Sequence, residues 1–325
     1  MSRVVRTVLS TVVLLTSTSA LATPPDIFHA TVTPECTSKT ALAVSLRSRF
    51  NQGSHYMVET NWRLVLVEPD EARITPVDLG TLEQDWIDAD GDQTDPKLTW
   101  TTPAANPIQV LQDWGMTDCE PQVHTLVPEW MSARLDPENG RLELVSGEHR
   151  KSVTVSIVDI RREAETWRAP SGPTPFSKLD RWSPAEHPVE QKAGPVLAVG
   201  GHAVAFFHMS DPLEQSTILA IAPTEALAHA RSWMHNAVGL DHHRAGDFKA
   251  SVDWFSRAVA IAPGNTTARF NLACAWAKRG EVRQVVEALG ALVEVDGMGV
   301  KVDKDGDFDA VRSHPDFLEV RARLQ

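Results

Sequence analysis

Apolar and polar side chains alternate along most of the chain from about residue 28 to residue 222. Between Tyr56 and Leu66 one face carries Tyr56, Val58, Thr60, Trp62, Leu64 and Leu66, while the other carries Met57, Glu59, Asn61 and Arg63. Successive side chains of a strand point to opposite faces, so this spacing predicts a half-buried strand. Leu42, Val44, Leu46 and Phe50 repeat the pattern just upstream. Asp136-Pro137-Glu138-Asn139-Gly140 separates Ser132–Leu135 from Arg141–Val145 and supplies the residues a hairpin turn needs. Val153, Val155 and Ile157 mark a further strand. Gly200-Gly201 then joins Val196–Val199 to His202–His208, and Thr217–Ala222 completes a meander. About nine strands without intervening helices predict an antiparallel β-rich domain, sandwich or barrel-like, over 23–222. Residues 167–195 interrupt it with six prolines, Pro170, Pro173, Pro175, Pro184, Pro188 and Pro195. Proline cannot donate to a ladder, so this stretch predicts a surface excursion that could split the β region into two lobes.

After Pro223 the period becomes helical, so the whole reads as a segregated α+β chain with a helical domain over 223–325. Thr224 is placed to cap a helix whose face carries Ala226, Ala230, Trp233, Ala237 and Leu240, with Gly246 at its end. Asp247 caps the next helix, which buries Val252, Phe255, Ala258 and Val259 and stops at Pro263. A second pair follows over Thr266–Lys278 and Val282–Val293, broken at Gly280. Asp307–Arg312 and Pro315–Leu318 predict short terminal helices.

The two pairs repeat at a spacing of 34 residues. Val238-Gly239 corresponds to Leu272-Ala273, His242 to Trp276, Gly246 to Gly280, Phe248 to Val282, Phe255 to Leu289 and Ala258 to Leu292. With Ala258–Asn265 closing the first unit, residues 230–325 resemble the tetratricopeptide repeat family, and the aspartate-rich end resembles a C-terminal cap of such proteins. The resemblance implies a peptide- or protein-binding scaffold whose concave surface is lined by the first helix of each unit. It places Trp233, Asn236, Leu240, His243 and Arg244 of unit one on that surface, and Thr267, Phe270, Asn271, Cys274 and Lys278 of unit two. Of the positions that clamp a peptide carboxylate in the family, only Asn271 keeps the expected residue; Asn236 and Leu240 depart from it, so the clamp is not carried over. Two units make a shallow groove, which the β domain or the capping segment could fill.

Arg3 and Arg6 precede an uncharged apolar run from Val8 to Leu21, and Ala20-Leu21-Ala22 supplies small residues before Thr23. This predicts a signal peptide over residues 1–22, cleaved after Ala22, and an extracytoplasmic location, periplasmic or secreted. No later window is long and apolar enough to predict stable membrane insertion. Without Arg3 and Arg6 the chain keeps 29 bases against 43 acids, a balance that argues against nucleic acid. In an oxidising compartment Cys36 and Cys119 are placed to pair, closing a loop that stabilises by roughly 4 kcal/mol. Cys274, in the middle of an apolar helix, is expected free and buried.

Candidate chemistry is sparse. His235 and His242 lie seven apart on one helical face with His243 adjacent, but they fall where the resemblance buries an aromatic ring, so packing rather than metal ligation is expected. Asp88–Asp92 and Asp303–Asp307 carry alternating carboxylates of calcium-loop type, yet neither has the glycine nor the closing glutamate at the required spacing. No metal or other cofactor is therefore expected. Trp62, Trp86, Trp100, Trp114 and Trp130 of the β region could stack on sugars, though core packing is the commoner use of an indole. Neither GxSxG nor a phosphate loop, HExxH or CxxC occurs. These readings point to an exported, non-enzymatic protein mediating protein–protein interaction or assembly in the cell envelope. The alternative is a secreted enzyme or carbohydrate-binding protein with its site in the β domain and the helices as a docking module.

Overall fold

A computed structural model describes residues 27–51, 57–87, 93–100, 105–159, 190–210 and 214–325. The segment expected to be a signal peptide, the acidic stretch Asp88–Asp92 and most of the proline-rich excursion lie outside the described residues.

The described residues of the β region hold thirteen strands. β1 (Ile27–Thr37), β2 (Leu42–Asn51), β3 (Met57–Glu68), β4 (Arg73–Ile87) and β5 (Gln93–Trp100) form an antiparallel meander. A short helix, α1 (Pro107–Asp113), precedes β6 (His124–Thr125). Next come β7 (Ser132–Asp136), β8 (Arg141–Ser146) and β9 (His149–Thr154), which form a separate three-stranded sheet, followed by β10 (Ser156–Asp159). Finally β11 (Glu190–Val199), β12 (His202–Ser210) and β13 (Glu214–Pro223) complete a ten-stranded sheet in the order β5-β4-β3-β2-β1-β13-β12-β11-β6, with β10 off this path as the tenth strand, paired to β13. The proline-rich stretch therefore does not divide the β region, because strands from both sides of it share one sheet.

One pairing departs from the expected antiparallel arrangement. β1 meets β13 in parallel, pairing among the described residues at Phe28–Glu214 and His29–Gln215. Farther along the same edge β10 takes over, pairing antiparallel with Ile218–Ile221. The sheet forks there, and the β1–β3 branch can lie over the β11–β13 branch. Val32, Leu42, Val44, Leu46, Val65 and Val67 accordingly share one core with Leu197, Val204, Phe206, Leu219 and Ile221. The opposite faces of the same strands, through Val196, Ala203, Ala205, Phe207, Ile218, Ala220 and Ala222, form a second core with β7–β9. Burial on both faces explains why β12 and β13 read as continuous apolar runs rather than alternating ones. The β11–β12 turn places Gly200 and Gly201 at φ +55° and +81°, the two positive angles that a two-residue turn of the right twist demands.

Cys36 and Cys119 form a disulfide across 83 residues. Beside it Thr37 N–H donates to the Asp118 carbonyl at 2.7 Å, and Asp118 N–H returns a bond to Thr37 at 3.0 Å. The α1 segment is thereby fastened to the end of β1.

β13 runs straight into α2 (Thr224–Arg244). Thr224 does not cap this helix as expected; Pro223 holds the cap position without a side-chain bond, and the Thr224 N–H donates to the Gly201 carbonyl at 2.9 Å. One orphan amide of the first turn is thus satisfied by the β hairpin. α3 (Phe248–Ile261) is capped by Asp247, and α4 (Thr266–Lys278) by Asn265, each side chain accepting from the amide three residues on. α5 (Val282–Gly290) ends three residues before the expected Val293. An unforeseen helix, α6 (Met298–Lys304), follows. The expected helix at Asp307–Arg312 is only a 3-10 turn over Gly306–Phe308, whereas α7 (Pro315–Arg323) outruns its expected four residues. Among the described residues no helix is long and apolar enough to cross a membrane.

Leu227, Ala230 and Met234 of α2 lie in the same core as β7–β9 and β11–β13. Helix α2 and the β sheets are therefore packed together. A third core unites α4, α5, α6, the 3-10 turn and α7 around Phe270, Leu289, Phe308 and Phe317.

Candidate interaction surface of the helical module

The surface suggested by the repeat pattern is formed by α2 and α4. They are held in register by two polar links. Asn271 Nδ2 donates to Asn236 Oδ1 at 2.8 Å. Deeper, Ser232 Oγ donates to the Ala258 carbonyl at 2.7 Å and accepts from Asn265 Nδ2 at 2.9 Å, while Asn265 Oδ1 caps α4. Buried polar groups are tolerable when each has its partner, and this chain of bonds meets that condition while tying α2, α3 and α4 together.

The chain itself covers much of the surface. At the unit-one end, Trp233 is half-buried under β9: Lys151 Nζ stands 5.5 Å over its ring and the His149 ring is 6.4 Å away. His149 Nε2 also meets the Asp241 carboxylate at 2.5 Å. At the unit-two end α6 and the 3-10 turn close over α4. Phe270 is 2% exposed, with the Phe308 ring at 5.8 Å and Lys301 Nζ 3.9 Å above its ring. Asn236 is spent on Asn271 and is 6% exposed, and Leu240 packs inward against the cluster around Val252, Phe255 and Ala275. Asn236 and Phe270 are thus interior rather than groove-lining residues, and Leu240 is half-buried. Arg244, Thr267 and Lys278 remain exposed, and His243 and Asn271 half-buried.

His243, Cys274 and Lys278 converge on the cap. His243 Nε2 lies 2.8 Å from Asp307 Oδ2, Lys278 Nζ 4.0 Å from Asp307 Oδ1, and Cys274 Sγ 3.8 Å from Asp305 Oδ2. Cys274 is free and buried as expected. Its thiol, with Asp305 and Asp307, offers three ligand-type atoms within 4.8 Å of one another. Their existing bonds give these atoms other work. Asp305 Oδ1 accepts the Asp307 amide at 3.0 Å, Asp307 is answered by an imidazole and an ammonium, and burial, then the two carboxylates, push the Cys274 thiol pKa up so that it holds its proton. The arrangement does the work of a latch, fastening the acidic cap to the basic ends of α2 and α4. Its sequence signal was the alternation Asp303, Asp305, Asp307 set against His243 and Lys278, which requires knowing that the two segments meet.

Sequence reasoning placed His235 and His242 as packing residues, and both do pack. The His235 ring stands edge-on to Trp130 at 4.8 Å, and His242 stacks on Trp254 at 6.4 Å. Trp130, named only as a β-region indole with core packing expected, packs against His235 of α2 and Trp254 of α3. An isolated tryptophan before a strand carries no signal of that destination.

Compared with known protein families and with curated proteins, the sequence matches no family model and no curated protein.

Proposed function

We propose that the chain is an exported, non-enzymatic protein whose helical module holds a protein or peptide partner in the cell envelope, and that the part of the repeat surface left uncovered makes the contact. The observation carrying this reading is that both ends of the surface are closed by the chain itself, with Arg244, Thr267 and Lys278 left exposed between and beside them. A polar, partly cationic strip of this kind suits an acidic or hydrogen-bonding segment rather than an apolar helix. Export is supported by the leader-like pattern of residues 1–22 and by the Cys36–Cys119 disulfide, which persists in oxidising compartments.

The test is affinity purification of the 23–325 form from its own envelope, beside a variant carrying Arg244→Glu and Thr267→Glu. Removing the helices at Pro223 is the wrong control, since it would strip Leu227, Ala230 and Met234 from the shared core. A protein retained by the parent and lost from the variant supports the reading. Identical capture by both removes it.

A further inference from the structure

A cationic corner lies on the side of α2 and α3 that faces Trp130, away from the repeat groove. Arg231 and His235 stand one helical turn apart on α2, and Trp254 and Arg257 stand likewise on α3. Trp130 meets the Trp254 ring edge-on at 4.7 Å and the His235 ring at 4.8 Å, while His235 and Trp254 are 5.6 Å apart. The Arg257 guanidinium lies 5.2 Å over Trp254. His235 Nδ1 is committed to the Arg231 carbonyl at 2.9 Å.

Neither guanidinium has an ion pair among the described residues, and Arg231 Nε is buried without a hydrogen-bond partner. A buried donor left unmade costs free energy, and both arginines bear electrostatically on the His235 ring. Burial holds the Arg231 guanidinium below its ordinary pKa, and burial, then both arginines, depress the His235 imidazole. The whole chain carries formal charge −12, so these two unanswered cations are not part of a general basic surface. An anion relieves every one of these costs. The planar fork of arginine matches a carboxylate in bidentate fashion, and indole walls suit an apolar or aromatic body attached to it.

We propose that Arg231 and Arg257, walled by Trp130 and Trp254, form a binding site for a carboxylate carried on a flat apolar group. The site depends neither on export nor on the repeat surface. The carboxylate can belong to a small aromatic acid or to the C-terminus of a protein chain ending in an aromatic residue, and the two sources are separable by experiment.

Isothermal titration of the 23–325 form with benzoate, benzamide, a short peptide ending in a free Phe carboxylate, and its C-terminal amide tests this. Saturable binding of at least one carboxylate probe is expected, with the matching amide at least about tenfold weaker, as loss of a charge-assisted pair implies. Arg231→Gln is expected to weaken the carboxylate by about tenfold or more. Should that variant fail to fold, Arg257→Gln, at an exposed position, is expected to weaken it measurably without loss of structure. Binding of benzoate assigns the site to small acids; binding of the peptide alone assigns it to a chain terminus. No saturable binding of either carboxylate, or equal binding by their amides, or unchanged affinity in the arginine variants, overturns the proposal.

Discussion

Trp130, from the segment before β7, meets Trp254 of α3 edge-on with ring centroids 4.7 Å apart. The contact joins the β region to α3, beyond the α2 residues already in the shared core. Indole pairs at this geometry add stabilisation beyond the area they bury. Trp130→Ala is expected to cost about 1–3 kcal/mol, less than a fully buried tryptophan because the ring is half-buried. Thermal unfolding followed by circular dichroism checks it: the transition shifts down but stays single, because Leu227, Ala230 and Met234 still hold α2 to the sheets.

Gly239 stands where the repeat pattern asks for a small residue, and the reason is steric. A Cβ there would sit 2.6 Å from Phe255 Cε1 and 3.2 Å from Trp254 Cβ, and Phe255 is fully buried. Alanine favours a helix interior over glycine by about 1 kcal/mol. Forcing α2 from α3 costs about 1–3 kcal/mol, so overpacking is expected to win and Gly239→Ala to destabilise. Denaturant unfolding decides the sign.

Ser232→Ala removes a hydroxyl that bridges the Ala258 carbonyl and the Asn265 amide in the interior. Leaving both partners unmade is expected to cost about 1–3 kcal/mol. Hydrogen exchange should show the loss concentrated at the first turn of α4, whose cap Asn265 loses its anchor.

Burial, opposed by the bond to the Arg231 carbonyl and reinforced by Arg231 and Arg257, lowers the His235 pKa. The unfolded chain therefore takes up this proton first. Stability is expected to be whole above the unfolded imidazole value of about 6.5 and to fall as pH drops below it. His235→Phe keeps a ring against Trp130 and should flatten that part of the curve. Melting temperatures of both proteins between pH 8 and pH 5 check the difference; parallel curves would show that His235 contributes nothing to it.

Local chemistry made much of the helical module legible. Asp247, Pro263 and Gly280 mark boundaries by capping, a fixed φ and a positive φ, which act within a turn of where they are written. The hairpins at Asp136–Gly140 and Gly200-Gly201 were legible for the same reason. The fork of the sheet at β13 was not, since β1 and β10 compete for one edge from opposite ends of the domain. Helix α6 has too few residues to carry a period, and it forms against α4 and α7. The candidate surface suffered most from this limit. The pattern chose Phe270 and Asn236 by position, but their exposure depended on Lys301, Phe308 and Asn271 arriving from elsewhere.

The shared core implies that α2 cannot open while the sheets stay closed. Native-state hydrogen exchange of the 23–325 form, read at the amides of α2 between Leu227 and Asn236 and of β12 between Ala203 and Phe207, measures this directly. Equal opening free energies, lowered together by Met234→Ala, are the expected result. Exchange of α2 at a lower free energy than β12, unmoved by that substitution, would mean an independent helical appendage and would contradict the fastening of the repeat surface to its own β domain.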